Sequence, residues 1–238
     1  MFEVQSPLAG LCHLSGRLDP WPLIERLGPP SGAWTRAALK ATELRASAVK
    51  RIVATQEFSS EHPFVCAGEP EYPSALVGVP FAPTVLFYEG NLALCDERGV
   101  AVVGARRCTP DGLSVAGRLA GAVCGAGGVV VSGLASGIDS AAHRASGGRT
   151  IGVMGHGLSS RGRAGLAGLV RWVVEQGGLV LSEFPPLWPP SRFSFPQRNR
   201  TIAALAQATV VVQAGARSGS LITARFAGEV GREVLAVP

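Results

Sequence analysis

The chain has 238 residues, enough for one large domain or for a domain with a small attachment. Hydrophobic residues make up 47% and charged residues only 16%, which excludes a disordered chain, and 31 glycines without a three-residue period exclude a collagen-like one. The net charge of +5 divides unevenly: residues 1–97 (seven basic, eleven acidic) carry −4 and residues 98–238 (fifteen basic, six acidic) carry +9, which marks the second stretch as the polyanion binder.

Met1-Phe2-Glu3-Val4 lacks the basic start and apolar run of a secretory signal. The first sixty residues mix prolines and glycines (Pro20, Pro22, Gly28-Pro29-Pro30) with two helical patterns, Trp21 to Leu27 and Thr35 to Val53, and read as a small helical attachment, residues 1–60. Residues 62–98 carry short extended runs, Phe64-Val65-Cys66 and Thr84 to Tyr88, between Pro and Gly turn signals, as edge strands or an approach segment do.

From Gly99 onward six apolar, β-branched runs follow: Val100–Val103, Val129–Val131, Thr150–Met154, Leu179–Leu181, Thr209–Val212 and Glu233–Val237. Between them lie helix-length segments at roughly 110–126, 139–147, 162–176, 197–207 and 219–230, an alternation that predicts an α/β domain with a parallel sheet and right-handed crossovers over 61–238. The strands lack period-2 polarity, so helices cover both faces of a doubly wound sheet. Leu119 to Ile138 is twenty residues without a charge, but its six glycines and two serines make it a helix end, a buried strand and a glycine loop rather than a membrane span. The five cysteines (Cys12, Cys66, Cys95, Cys108, Cys124) are odd in number and form no C-x-x-C, which speaks against a disulfide framework or a zinc site and for a reducing, cytoplasmic compartment.

In such sheets ligands bind outside the carboxyl ends of the strands, where helix N-termini present free N–H groups. The first of these loops is Gly104-Ala-Arg106-Arg107, not G-x-G-x-x-G, and no G-x-x-x-x-G-K-[ST] occurs, so dinucleotide and P-loop chemistry are not expected. Arg106 just past a strand suits bidentate phosphate contact, while Thr109-Pro110 reads first as a helix cap. Ser132-Gly133 to Asp139 can cradle an anion through backbone N–H groups, with Asp139 capping the helix that follows. Ser218-Gly219-Ser220, flanked by Arg217 and Arg225, serves phosphate contact and helix capping equally well. Ile222, Phe226 and Val230 at i, i+4, i+8 form either an oligomerisation patch or, more simply, sheet packing. The densest cationic run, Arg192-Phe193-Ser194-Phe195-Pro196-Gln197-Arg198-Asn199-Arg200, interleaves phosphate-binding groups with aromatic faces, as single-stranded nucleic acid requires; the alternative is aromatic packing in the core with arginines paired to Asp139, Glu183 or Glu229. All fifteen basic residues of the second stretch are arginine, which suits phosphate, though with only Lys40 and Lys50 in the chain an arginine-rich composition explains it equally. His143 and His156 are isolated and read as structural, and Ser132 in S-G-L-A-S gives no nucleophile elbow, so binding ranks above catalysis.

The runs V-V-G-A-R, V-V-V-S-G-L-A-S-G-I-D-S-A-A-H, F-P-Q-R-N-R-T-I-A-A-L, S-G-S-L-I-T-A and G-R-E-V-L-A-V-P stand in the order and spacing of the DNA-processing protein A (DprA, also called Smf) family. The chain resembles that family over about residues 62–238, and its N-terminal part resembles the degenerate SAM-like attachment of many members. The resemblance implies an extended Rossmann-like fold that binds single-stranded DNA, forms homodimers and loads RecA on incoming strands during natural transformation, with no cofactor and no membrane. Carried over, Gly104 and Arg106 of the G-x-R motif and the Ser132-Gly133 loop would form the DNA pocket. Arg192 and Phe195 would bind phosphate and meet a base, and Arg198, Asn199 and Arg200 would shape the pocket. The chain departs from the family at Ser136, where an arginine is usual, and at 157–165, where L-S-S-R-G-R replaces Y-P-x-x-N, with Arg161 and Arg163 as substitutes. It also stops at V-P, ahead of the usual glycine. Two other readings remain: a Rossmann-like enzyme cleaving nucleoside monophosphates, whose P-G-G-x-G-T-x-x-E motif is absent, and a degenerate member acting as a partner-binding scaffold.

Overall fold

A computed structural model describes residues 2–5, 19–27, 39, 42, 49, 57–160 and 166–238. Strand β1 (Phe2–Gln5) pairs antiparallel with β2 (Glu57–Ser60) as a separate ribbon, and helix α1 (Trp21–Leu27) lies between them in sequence. The helix is where the Trp21 to Leu27 pattern predicts it; the second pattern, Thr35 to Val53, falls almost wholly outside the described residues. Leu23 of α1 is buried and the Trp21 indole donates to the Val79 carbonyl at 2.9 Å, which seats α1 on the segment between residues 66 and 85.

The main sheet is built from β3 (Phe64–Cys66), β4 (Val85–Gly90), β5 (Gly99–Val103), β6 (Val129–Ser132), β7 (Thr150–Met154), β8 (Leu179–Ser182), β9 (Ala208–Val211) and β10 (Glu233–Ala236), in the order β10-β9-β5-β6-β7-β8-β4-β3. All six strands predicted from Gly99 onward run parallel, and β3 and β4 close one edge antiparallel, as the 62–98 runs foreshadow. Helices α2 (Pro110–Gly125), α3 (Ile138–Ala145), α4 (Leu166–Glu175), α5 (Ser194–Leu205) and α6 (Ser220–Glu229) connect the parallel strands. The chain steps from β5 outward through β6 and β7 to β8, then crosses back to β9 on the other side of β5. That reversal opens a crevice between β5 and β9, the place where doubly wound sheets take ligands.

Alternate strand residues feed opposite faces. Val102, Val130 and Val212 pack with Ala116 and Ala120 of α2 and Ile138 and Ala142 of α3. Ala101, Val103, Val129, Val131, Ile151 and Val153 pack on the other face with Ile202 and Leu205 of α5 and the N-terminal segments. Both faces being dry explains the absence of polar alternation. Thr109 accepts from the Gly112 N–H at 3.1 Å with Pro110 in the first turn, so that pair is a helix cap. The uncharged run Leu119 to Ile138 divides into the end of α2, strand β6 and a loop, and no described helix is long and apolar enough to cross a membrane.

His143 in α3 is fully buried. Thr150 Oγ1 donates to the Val130 carbonyl at 2.9 Å, so at 2.7 Å it accepts from His143 Nδ1–H, and the ring is the neutral Nδ1 tautomer. Burial, helped by the nearby Arg198 charge, pushes its pKa from 6.5 down to about 3. The unfolded chain therefore takes up a proton that the folded chain refuses, and stability that is complete above pH 6.5 is lost as the pH falls from 6.5 towards 3. Urea unfolding at pH 7 and pH 5 should show the native protein losing about 2 kcal/mol more than the His143→Gln variant over this interval. Equal losses in the two proteins would contradict this account of His143.

Candidate nucleic-acid interface

Four chain segments meet at the carboxyl ends of β5, β6 and β9. After β5 the chain runs through Gly104, Ala105 and Arg106, held on both sides: the Ala105 N–H donates to the Gln213 carbonyl beyond β9 at 2.7 Å, and the Ala105 carbonyl accepts from Ile138 N of α3 at 3.3 Å. The close approach to α3 depends on Gly137, whose φ of +83° is a left-handed conformation and whose missing side chain leaves room for the Ala105 and Arg106 carbonyls. Arg106 is thereby placed at the mouth of the crevice, exposed to solvent, with its guanidinium 5.5 Å from the Phe195 ring centre.

Phe195 sits in the first turn of α5. This helix starts three residues before the expected 197, because Ser191 and Ser194 cap it reciprocally: Ser194 N donates to Ser191 Oγ at 3.0 Å and Ser191 N to Ser194 Oγ at 3.1 Å. The ring lies on Gly155 at the end of β7, where a Cβ would fall 2.6 Å from Phe195 Cδ1. Arg106 and Phe195 together form the wall between two clefts. The first, about 630 Å³, runs over the β5–β9 crevice and is bordered by Gly104, Arg107, Arg192, Asn199, Arg217 and the Ser218-Gly219-Ser220 loop. The second, about 620 Å³, lies over β6 and β7 and is more apolar, with Leu134, Met154 and Leu169 beside Ser136, Arg144 and His156.

Of the residues singled out from sequence, Gly104, Arg106, Arg192, Phe195, Arg198, Asn199, Ser218, Gly219 and Ser220 border the first cleft, and Gly133 borders the second. Ser132 does not: it is fully buried, and its hydroxyl donates to the Val102 carbonyl at 2.6 Å, which pins β6 to β5. Arg200 points elsewhere, over the rings of Phe81 and Phe226. Arg198 is buried beneath the wall, where its Nη1 donates to the carbonyls of Gly133 and Val153 and so fastens the ends of β6 and β7 together. Asp139, expected to cap α3, instead reaches back to accept from Gly133 N at 3.1 Å and Ala135 N at 3.4 Å. It braces the loop that Arg198 also grips. Burial raises the Asp139 carboxyl, a shift that the Arg198 charge and the backbone N–H groups oppose; burial likewise lowers Arg198 to about 10, against the pull of Asp139.

The serine loop before α6 is a partial cap: Ser218 Oγ is 2.7 Å from Ser220 Oγ and accepts from Ser220 N at 3.4 Å, while Asn199 Nδ2 donates to the Gly219 carbonyl at 3.1 Å. Ile222, Phe226 and Val230 part ways, the first at the cleft, the second under Arg200 and Arg225, the third against the core. His156 is buried at the edge of the second cleft, its ring Nδ1 3.0 Å from the Gly157 carbonyl, and burial lowers its pKa. Sequence reasoning did not single out Arg107 or Arg144 as site residues; Arg107 follows Arg106 in the loop after β5, whereas Arg144 lies in the last turn of α3, where no motif marks it. Arg161 and Arg163 lie outside the described residues. The first turns of α3, α5 and α6 contribute Asp139, Phe195 and Ser220 to the border of the first cleft, where Arg106, Arg192 and Arg217 gather on one opening.

Comparison with known proteins agrees with this architecture. Residues 63–238 match the family model described as DNA recombination-mediator protein A. Protein Smf of Escherichia coli is 40% identical over 180 residues, 74% of this chain, and the chain spans about half (48%) of that relative's length. The X-ray structure of DNA processing protein A from Streptococcus pneumoniae superposes with a TM-score of 0.81 at 33% identity, covering 98% of this chain and 84% of that one. A structure of DNA processing protein A from Helicobacter pylori, described for its single-stranded DNA binding mode, superposes with a TM-score of 0.69 at 28% identity, covering 76% and 83%. By motifs, topology and these matches, the chain belongs to the DNA recombination-mediator protein A (DprA/Smf) family.

Proposed function

We propose that this chain binds single-stranded DNA in the first cleft and acts as a recombination mediator, without catalysing a covalent step. The observation that carries the reading is the Arg106–Phe195 wall: an exposed guanidinium and an aromatic ring side by side, at the strand-order reversal, among the first turns of three helices and further arginines. Guanidinium groups neutralise phosphates and a ring edge or face receives a base, so the same few residues serve any sequence of single strand. The Helicobacter pylori relative, described by its single-stranded DNA binding, supports the choice of ligand.

In this reading the protein protects incoming strands and loads RecA during natural transformation in the cytoplasm, as a homodimer with residues 1–60 as a small attachment that contains α1 and the β1–β2 ribbon; the function and the homodimer follow the family resemblance. The test is fluorescence anisotropy with labelled single-stranded and duplex DNA of ~30 nucleotides across a salt series. Preference for the single strand is expected, with log affinity falling against log salt by roughly 0.7 per phosphate neutralised. Folded protein that binds neither DNA at low salt would refute the proposal.

A further inference from the structure

The functional reading leaves Arg200 unused, yet its surroundings form a second constellation outside both clefts. Its guanidinium lies between two rings, 5.8 Å from the centre of Phe81 and 5.0 Å from that of Phe226, and Arg225 lies 5.8 Å from Phe226 on α6. Arg225 also pairs with Glu229 at 2.8 Å. Phe81 is 47% exposed and holds a φ of +55°, a left-handed backbone that a bulky residue rarely adopts. An exposed aromatic ring kept in a strained conformation beside a cation is an unusual outcome of packing alone, and such strain concentrates at binding sites.

The constellation is continuous with the cleft. Asn199 and Ile222 form part of its border; Arg200 is the next residue after Asn199 on α5, and Phe226 is one helical turn beyond Ile222 on α6. A strand leaving the cleft across the α5–α6 surface meets the rings and guanidiniums in turn. Rings stack bases of any sequence and guanidiniums take backbone phosphates, so the chemistry matches the ligand of the cleft itself.

We infer that Phe81, Arg200 and Phe226 form an extension of the single-stranded DNA path, engaged only by strands long enough to pass beyond the cleft. The inference rests on the proposed DNA binding in the cleft, and the test separates the two. Labelled single strands of about 6 and about 20 nucleotides are titrated by anisotropy against the wild type, Phe81→Asn and Arg200→Gln. Asparagine tolerates the positive φ, so the first variant removes the ring and keeps the loop.

Phe81→Asn is expected to weaken binding of the longer strand about 5- to 10-fold and that of the shorter strand less than about 2-fold, in line with the loss of one stacked base. Arg200→Gln is expected to reduce the salt slope on the longer strand by about 0.7. Wild-type-like affinity of both variants for the longer strand, or equal losses on both lengths, would overturn the extension while leaving the cleft reading intact. Failure of the wild type to bind either strand would overturn both.

Discussion

Replacing Arg106 by alanine is expected to weaken single-stranded DNA binding about 10- to 100-fold, the equivalent of one or two charge-assisted hydrogen bonds to phosphate. The fold should be indifferent to the change. Arg106 is exposed, and the ion pairs Arg149–Glu97 and Arg225–Glu229 do not include it. Its place is set by its neighbours' backbone, through the Ala105 bonds to Gln213 and Ile138, which the substitution does not touch. Exposed positions of this kind change stability by about 0.5 kcal/mol or less. Anisotropy and a melting curve on the same preparation decide the matter: unchanged affinity with an unchanged melting curve would remove Arg106 from the interface.

Arg198→Met is expected to do the opposite, lowering stability by about 3–5 kcal/mol in urea unfolding at pH 7. Arg198 is 4% exposed, and its guanidinium bridges the carbonyls at the ends of two strands and opposes the buried Asp139 charge. Its removal strands a carboxylate and two carbonyl groups away from water. Pairing the change with Asp139→Asn should restore part of the loss, because the stranded charge disappears, and a double-mutant cycle measures the coupling. A loss below about 1 kcal/mol together with abolished DNA binding would instead make Arg198 a direct ligand of the phosphates.

The contrast between these two arginines marks the limit of what the sequence discloses. One stands in the loop after β5 and the other inside α5, each within a family motif, and charge patterning treats them alike; only the three-dimensional structure shows one at the mouth of the cleft and the other beneath it. The parallel strands were legible because burial on both faces turns them into unbroken β-branched runs such as Val129–Val131. Thr109-Pro110 was legible because a cap acts within four residues. Asp139 was misread for the complementary reason: Gly137 takes the start of α3, and the carboxylate turns back to amides in the preceding loop. The α5 start was missed because Pro196 looks like a loop residue, whereas proline is tolerated in a first helical turn and the S-x-x-S of Ser191 and Ser194 carried the true signal. Ser132 illustrates a general ambiguity at strand ends, where consecutive side chains alternate between the interior and the opening and the motif does not say which is which.

Phe195 and Gly155 belong to different elements, forty residues apart, yet neither can be altered as if the other were absent. The ring occupies the volume that any side chain on residue 155 would claim, so the aromatic wall exists only as long as the strand end remains bare. For protein engineering this makes the pair a single unit of inheritance. An attempt to retune the opening from the helix side, by enlarging or reshaping the residue at 195, is constrained by the glycine on which the ring rests, and a graft of α5 onto a related scaffold succeeds only if that glycine travels with it.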